Sequence, residues 1–197
     1  ASALIGSDQI QNRASLGGNV CTASPGADTV PSLMVNEALA VIAANDGSRK
    51  IPVNEVITGP GTNSLASGEF IIEFLLEQPP SRTSDAYERF IPRTEMDIAV
   101  VDAAARISLD ESGNCKEARV AIGAPAPTEI MVPEPEAILH GKKINDQLLA
   151  EVMEVVSTAC NPINDKRGTV EYRRQVAGVL AKRVILLAEK RALDKRG

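Results

Sequence analysis

The 197-residue chain contains no tryptophan, only two tyrosines and three phenylalanines, a single histidine and three cysteines. Each shortage excludes something. Cys21, Cys115 and Cys160 are odd in number and far apart, which argues against a disulfide framework and fits a reducing, cytoplasmic setting. No Cys-x-x-Cys and no Cys/His cluster occurs, so the chain should hold no zinc or iron–sulfur cluster of its own. Basic residues are scarce at the front: 4 of the 21 Lys/Arg but 8 of the 26 Asp/Glu lie in residues 1–82. With so few aromatics, that deficit speaks against nucleic-acid binding. No run approaches the roughly 20 apolar residues of a membrane span. Ala1–Gly6 lacks the basic start and apolar core of a secretory signal. No nucleophile–base pair or carboxylate dyad is evident, so no residue is expected to be catalytic. The hydrophobic fraction of 44% and charged fraction of 24% suit a globular protein of one large or two small domains.

What is present is concentrated in Ala14–Asp28, where small residues and turn formers crowd around one acid. Gly17 and Gly18 lack a Cβ and let another molecule approach the backbone. Consecutive N–H groups in such a turn converge into an anion site. Asn19 and Ser24 add short donors, and Asp28 can accept hydrogen bonds and open a helix. The expected element is a strand–loop–helix cradling a polar, phosphate-bearing ligand through backbone N–H groups rather than a basic patch. Gly-Gly-Asn is also ordinary turn chemistry. The spacing is neither Gly-x-Gly-x-x-Gly nor a Walker-type loop.

Along the chain, residues 7–14 read as a short helix capped by Ser7, and Thr29–Ala38 as a helix with Leu33, Met34 and Ala38 inward. Leu39–Ala44 and Ser48–Val53 read as a hairpin around Asn45-Asp46-Gly47. Asn54 is a candidate cap for one helical turn. Glu69–Glu77 reads as a strand buried on both faces. Pro79–Asp85 is the linker candidate. Beyond it, Ala86–Ile91, Ile98–Leu109 and Cys115–Ala124 read as strands. Pro133–His140, Asn145–Ala159 and Thr169–Arg191 read as helices, the last with Tyr172, Val176, Val179, Leu180, Val184 and Leu187 as its core stripe. Lys190, Arg191, Lys195 and Arg196 complement its C-terminus. The fold class is α+β: a first α/β unit over 1–82, then a three-stranded antiparallel sheet with about three helices over 83–197. Cys21 reads as a buried small residue, His140 as helix-terminal surface, and Arg93–Asp97 as a candidate ion pair.

Ile10-Gln11-Asn12-Arg13-Ala14-Ser15-Leu16-Gly17-Gly18-Asn19-Val20-Cys21-x-Ala23-Ser24-Pro25-x-x-Asp28 resembles the signature of the FAD-binding medium subunit of molybdenum hydroxylases, the family of xanthine and carbon monoxide dehydrogenases. Tyr87-Glu88-Arg89-Phe90-x-x-Arg93-x-x-Met96-Asp97-Ile98-Ala99, Ala118–Thr128 and Pro162-x-x-Asp165-x-Arg167-Gly168-x-x-x-Tyr172-Arg173 resemble its C-terminal domain. The resemblance implies the second subdomain of a PCMH-type FAD-binding domain at 1–82 and a carbon monoxide dehydrogenase flavoprotein C-terminal-type domain at 83–197. It implies FAD contacts at Gly17, Gly18, Asn19, Ser24, Asp28 and Arg89. The family often has Lys where Arg89 stands, and Arg near Val132. Its N-terminal subdomain, with a second glycine-rich loop, has no counterpart here. The implied activity is electron transfer from iron–sulfur clusters in a small partner, fed by a molybdenum cofactor in a large partner, to NAD+ or another acceptor. A docking module without productive FAD binding is the alternative, and a stand-alone flavin oxidase a weaker third.

Overall fold

The computed structural model describes residues 1–93 and 96–194. A 3-10 turn at Ser2–Leu4 leads into α1 (Asp8–Gln11), α2 (Leu16–Thr22) and α3 (Val30–Val35). The hairpin β1 (Leu39–Ala44) and β2 (Gly47–Pro52) follows, then α4 (Val53–Val56), the small β3 (Ile57–Gly59) and β4 (Thr62–Asn63), and β5 (Phe70–Leu75). β1 lies between β2 and β5, antiparallel to both.

The glycine segment is the main local departure from expectation. Gly17 and Gly18 sit in the first turn of α2, not in a loop, and neither has positive φ. The reason is the cap: Ser15 Oγ accepts the Gly18 N–H at 3.0 Å, which offsets the poor helix propensity of two glycines. The left-handed residue comes after α2, at Ala23 (φ 48°). Asn54 does not cap α4; Pro52 occupies that position and Asn54 is inside the turn. β5 is not buried on both faces: it is a sheet edge, and Phe70 and Ile72 are exposed. A bulge opposite Val41/Ile42 turns Ile71 and Phe74 toward the core instead. Thr83–Asp85, expected as linker, are strand residues.

The second unit is a four-stranded antiparallel sheet: β6 (Thr83–Phe90), β7 (Val101–Leu109), β8 (Cys115–Gly123) and β9 (Ile130–Val132). β9 adds a fourth strand to the three expected, because three residues after a Pro-rich turn carry no periodicity. Helices α5 (Glu134–Leu139), α6 (Asp146–Ala159) and α7 (Val170–Asp194) complete it. All nine residues of β7 are buried. Side chains alternate along a strand, so Val101, Ala103, Ala105, Ile107 and Leu109 pack against the helices. Ala104 and Ala121 instead join the core of the first unit with Val20, Val30 and Val35. The sheet is thus covered on both faces, the second by α3.

α6 begins as expected, with Asn145 Oδ1 accepting the Leu148 N–H at 3.0 Å. α7 is rotated from its expected stripe. Arg173, Ala177, Leu180, Ala181, Val184, Ile185, Ala188 and Ala192 are buried, while Tyr172 is exposed. Small residues let the helix sit close: a Cβ on Gly178 would lie 2.7 Å from the Met153 carbonyl of α6. Arg191 donates to the Asp85 carbonyl at 2.7 Å; Lys195 and Arg196 lie outside the described residues. Cys115 and Cys160 are buried and Cys21 only half-buried, all three as free thiols. His140 is exposed beside Glu136 at 3.5 Å. Among the described residues no helix is long and apolar enough to cross a membrane, and no cluster could hold a metal ion.

Candidate functional site

The short polar residues of the signature tie α2 to the start of α3. Asn19 Oδ1 accepts both the Thr29 hydroxyl (2.6 Å) and the Thr29 amide (3.3 Å). That pins Asp28, one residue earlier, over β6. Asp28 is buried and held from two directions. Tyr87 Oη donates to its Oδ1 at 2.7 Å, and Arg89 Nη1 spans both oxygens at 3.0 Å each. Arg89 and Asp28 side chains are only 7% and 11% exposed, so the pair is shielded from solvent screening. Burial first, then the nearby acids Asp102 and Asp28, pushes the Tyr87 phenol upward. It therefore stays a donor.

Two adjoining clefts border this constellation. One, about 470 Å³, runs from Arg89 along Ser7, Asp8 and Gln11. The other, about 250 Å³, is lined by Gln11, Ser15, Leu16, Asn19 and Thr29. They share Ala3 and Gln11 and form one polar groove from a guanidinium to the start of α2. There the first-turn amides of Leu16 and Gly17 have no intrahelical acceptor.

The expected site residues divide. Gly17, Gly18 and Asn19 are together on α2, and Asp28 and Arg89 are paired. Ser24 lies elsewhere: its carbonyl accepts the Ala27 N–H, and it lines a separate cleft of about 400 Å³ with Gly26, Ile98, Pro127, Ile163 and Arg167. Charged groups there are engaged internally. Arg173 binds Asp165 at 2.6 Å and the Val100 carbonyl at 2.9 Å, and Asp97 pairs with Arg93 at 3.1 Å, with Arg167 at 3.9 Å.

Sequence reasoning missed Tyr87, Thr29 and Ser15 as site-builders, and two buried acids. Asp102 is fully buried on β7 and Glu129 nearly so, just before β9; none of their four carboxylate oxygens has a side-chain hydrogen-bond partner among the described residues. An acid inside the apolar run Val100-Val101-Asp102-Ala103-Ala104 was the available signal.

A groove with a guanidinium at one end, helix-start amides at the other and hydroxyl and amide side chains between has the donor set of a site for a dinucleotide cofactor. The comparisons identify the family. The "FAD binding domain in molybdopterin dehydrogenase" model matches residues 1–76, and the "CO dehydrogenase flavoprotein C-terminal domain" model matches residues 86–188. The chain belongs to the FAD-binding medium-subunit family of xanthine and carbon monoxide dehydrogenase-type molybdenum hydroxylases. It is 32% identical to the xanthine dehydrogenase FAD-binding subunit of Escherichia coli O157:H7, over 94% of this chain and 63% of that one. It is 30% identical to the 6-hydroxypseudooxynicotine dehydrogenase complex subunit alpha of Paenarthrobacter nicotinovorans, over 98% of this chain and 64% of that one. A carbon monoxide dehydrogenase structure from Hydrogenophaga pseudoflava superposes with TM-score 0.90 at 27% identity, covering 95% of this chain and 65% of its counterpart. The chain therefore spans somewhat less than two thirds of these relatives.

Proposed function

We propose that this chain forms one wall of an FAD site in a cytoplasmic oxidoreductase. In this reading it passes electrons from iron–sulfur clusters in a small partner, supplied by a molybdenum-cofactor large partner, to NAD+ or another acceptor. The supporting observation is the groove running from Arg89 to the start of α2, with Asp28 and Tyr87 fixing the guanidinium. FAD, when bound, supplies the electron chemistry. The chain's part is to bind and orient. Gly17 brings a backbone amide and Asn19 a side-chain amide to the phosphate and ribityl region, and Gly18, whose own N–H is held by Ser15, contributes a helix surface without a side chain. Arg89 presents fixed positive charge where electron density accumulates. Ser24 belongs to the apolar 400 Å³ cleft, which suits the acceptor side; among the described residues no uncommitted charge in its lining selects NAD+ over another oxidant. We place the boundary between the FAD-binding and C-terminal-type domains at 82/83.

The pairing of Asp28 with Arg89 favours one second reading. These expected FAD contacts satisfy each other without a ligand, as they would in a docking module with no productive FAD binding. Absorption spectra of the longer protein after incubation with FAD and desalting separate the two. About one equivalent retained supports the flavoprotein, and none supports the docking module. Gly17→Asp sharpens the test. A Cβ at Gly17 meets only Ile71, at 3.9 Å, and an acid in a first helical turn is favourable. Thermal stability should hold while FAD affinity falls, because the new charge opposes the pyrophosphate. Unchanged FAD affinity would remove α2 from the site.

A further inference from the structure

The face of the sheet behind Arg89 holds an arrangement that cofactor binding does not need. In the β6–β7–β8 register, Arg89 stands opposite Asp102, and Asp102 opposite Gly123. Glu129 immediately precedes Ile130, the partner of Ile122, so it flanks Gly123 on the far side. Gly123 is a glycine for a steric reason: an ideal Cβ there would overlap the Asp102 carboxyl. The Asp102 side chain therefore leans across β8 at Gly123, away from hydrogen bonding with Arg89 and toward the edge where Glu129 lies. Among the described residues neither acid has a side-chain partner; Glu129 has only its own backbone amide and that of Ala27 nearby, and the buried cation close to the pair, Arg89, is committed to Asp28.

We infer that Asp102 and Glu129 form a buried carboxylic-acid pair that shares a proton across Gly123, and that this pair sets the charge behind Arg89 and so the electron affinity of the bound flavin. The inference rests on the FAD reading above. Two unpaired carboxylates in one dry site cannot both ionise, so the pair titrates as a unit. Burial, then repulsion from Asp28 and Glu129, holds Asp102 well above the ordinary carboxylate range. Burial raises Glu129 to about 7, opposed by its own backbone amide and that of Ala27. Asp28, Arg89 and Tyr87 face the pair from the Ala27–Thr29 segment and β6. Arg106 and Arg119, farther along the same face, are taken up with Asn36 and with Glu37 and Glu117.

The pair gains negative charge as pH rises through its titration, which disfavours added electrons nearby. The test uses the complete FAD-loaded subunit in its complex. Its flavin midpoint potential, followed from pH 6 to pH 8.5 on the scale of this about-7 titration, should show an extra downward break that D102N/E129Q lacks. Parallel profiles in the two proteins would overturn the coupling. Infrared spectra over the same range should show a protonated-carboxyl C=O band that bleaches with rising pH and is missing from the double variant. An identical band in both proteins, or none in either, would overturn the shared proton. A wild-type complex without FAD would defeat the functional reading and the coupling with it, while the infrared band still decides the shared proton.

Discussion

Along β7, Val101, Ala103, Ala105, Ile107 and Leu109 meet the helices, whereas Asp102, Ala104 and Arg106 face the first unit and Ser108, on the same side, bonds Thr83 of β6. The strand is buried along its whole length on both sides, so the contrast is in what each side buries. The helix side is apolar and carries the second unit's core. On the other side two charged rows flank one floored by Ala104 and Ala121, which join the first unit's core. Arg89, Asp102 and Gly123 form one row; Tyr87, Ala104 and Ala121 the next; then Asp85, Arg106 and Arg119. Asn36, the residue that caps the C-terminus of α3, bridges into the third row, donating to Asp85 at 3.1 Å. Burying polar groups costs stability unless partners are found. The apolar face supplies the surplus, and the polar face uses it to fix charge beside the groove.

Breaking the polar face at its centre should have the largest effect. Arg89→Met leaves Asp28 as a buried carboxylate without its cation. A loss of about 3–5 kcal/mol is expected for a pair broken on one side, read by denaturant unfolding, together with loss of FAD. Ile107→Ala on the opposite side of the sheet should cost about 2–5 kcal/mol through a cavity. FAD affinity of the protein that remains folded should be unchanged. If Ile107→Ala lowered FAD affinity as much as Arg89→Met, the two faces would not be functionally separate.

The next effect is pH-dependent. Unfolded carboxyls ionise near 4, while burial raises Glu129 to about 7 in the folded state. Between those values the folded chain holds more protons than the unfolded one, so stability falls as pH rises. The loss is at most a few kcal/mol, since a tenfold difference in proton affinity between the two states is worth about 1.4 kcal/mol. Glu129→Gln should flatten that slope in unfolding measured from pH 4 to pH 8. Gly123→Ala should cost about 1–3 kcal/mol by overpacking, and Asp102→Ala on top of it should recover most of the loss. Additive effects would mean that the Cβ and the carboxyl do not compete for one space. The smallest effect belongs to the first unit's surface. Arg49 grips Glu69 at 2.8 and 2.9 Å, and the hydrogen bond from Arg49 holds the Glu69 carboxyl down at about 2. Arg49→Ala should shift the melting temperature only slightly, and added salt should erase the difference.

Local chemistry is legible where a residue's own neighbours decide its conformation. β1 and β2 around Asp46-Gly47, the Asn45–Gly47 turn, the Asn145 cap and the Cys115–Gly123 strand all follow from turn residues and alternation. The Arg93–Asp97 pair is legible from i,i+4 spacing. The glycine segment reads as a loop because two glycines argue against a helix, and nothing local weighs the Ser15 cap against them. The α7 stripe is displaced by about one residue from the one its large side chains suggest. The close approach of α6 selects Gly178 and the alanines instead.

The sequence alone determined the family signature, the order of most elements and the presence of Gly17, Gly18, Asn19, Asp28 and Arg89 in motifs that resemble an FAD site. Only the tertiary structure decided that Asp28 and Arg89, 61 residues apart, meet under a Tyr87 hydroxyl. It also decided that Ser24 belongs to another cleft, and that Asp102 and Glu129 lie on either side of Gly123. Backbone propensity and side-chain size act over a few residues and can be read in order. Charge pairing and desolvation depend on which strands lie side by side, and that is fixed by packing both faces of one sheet.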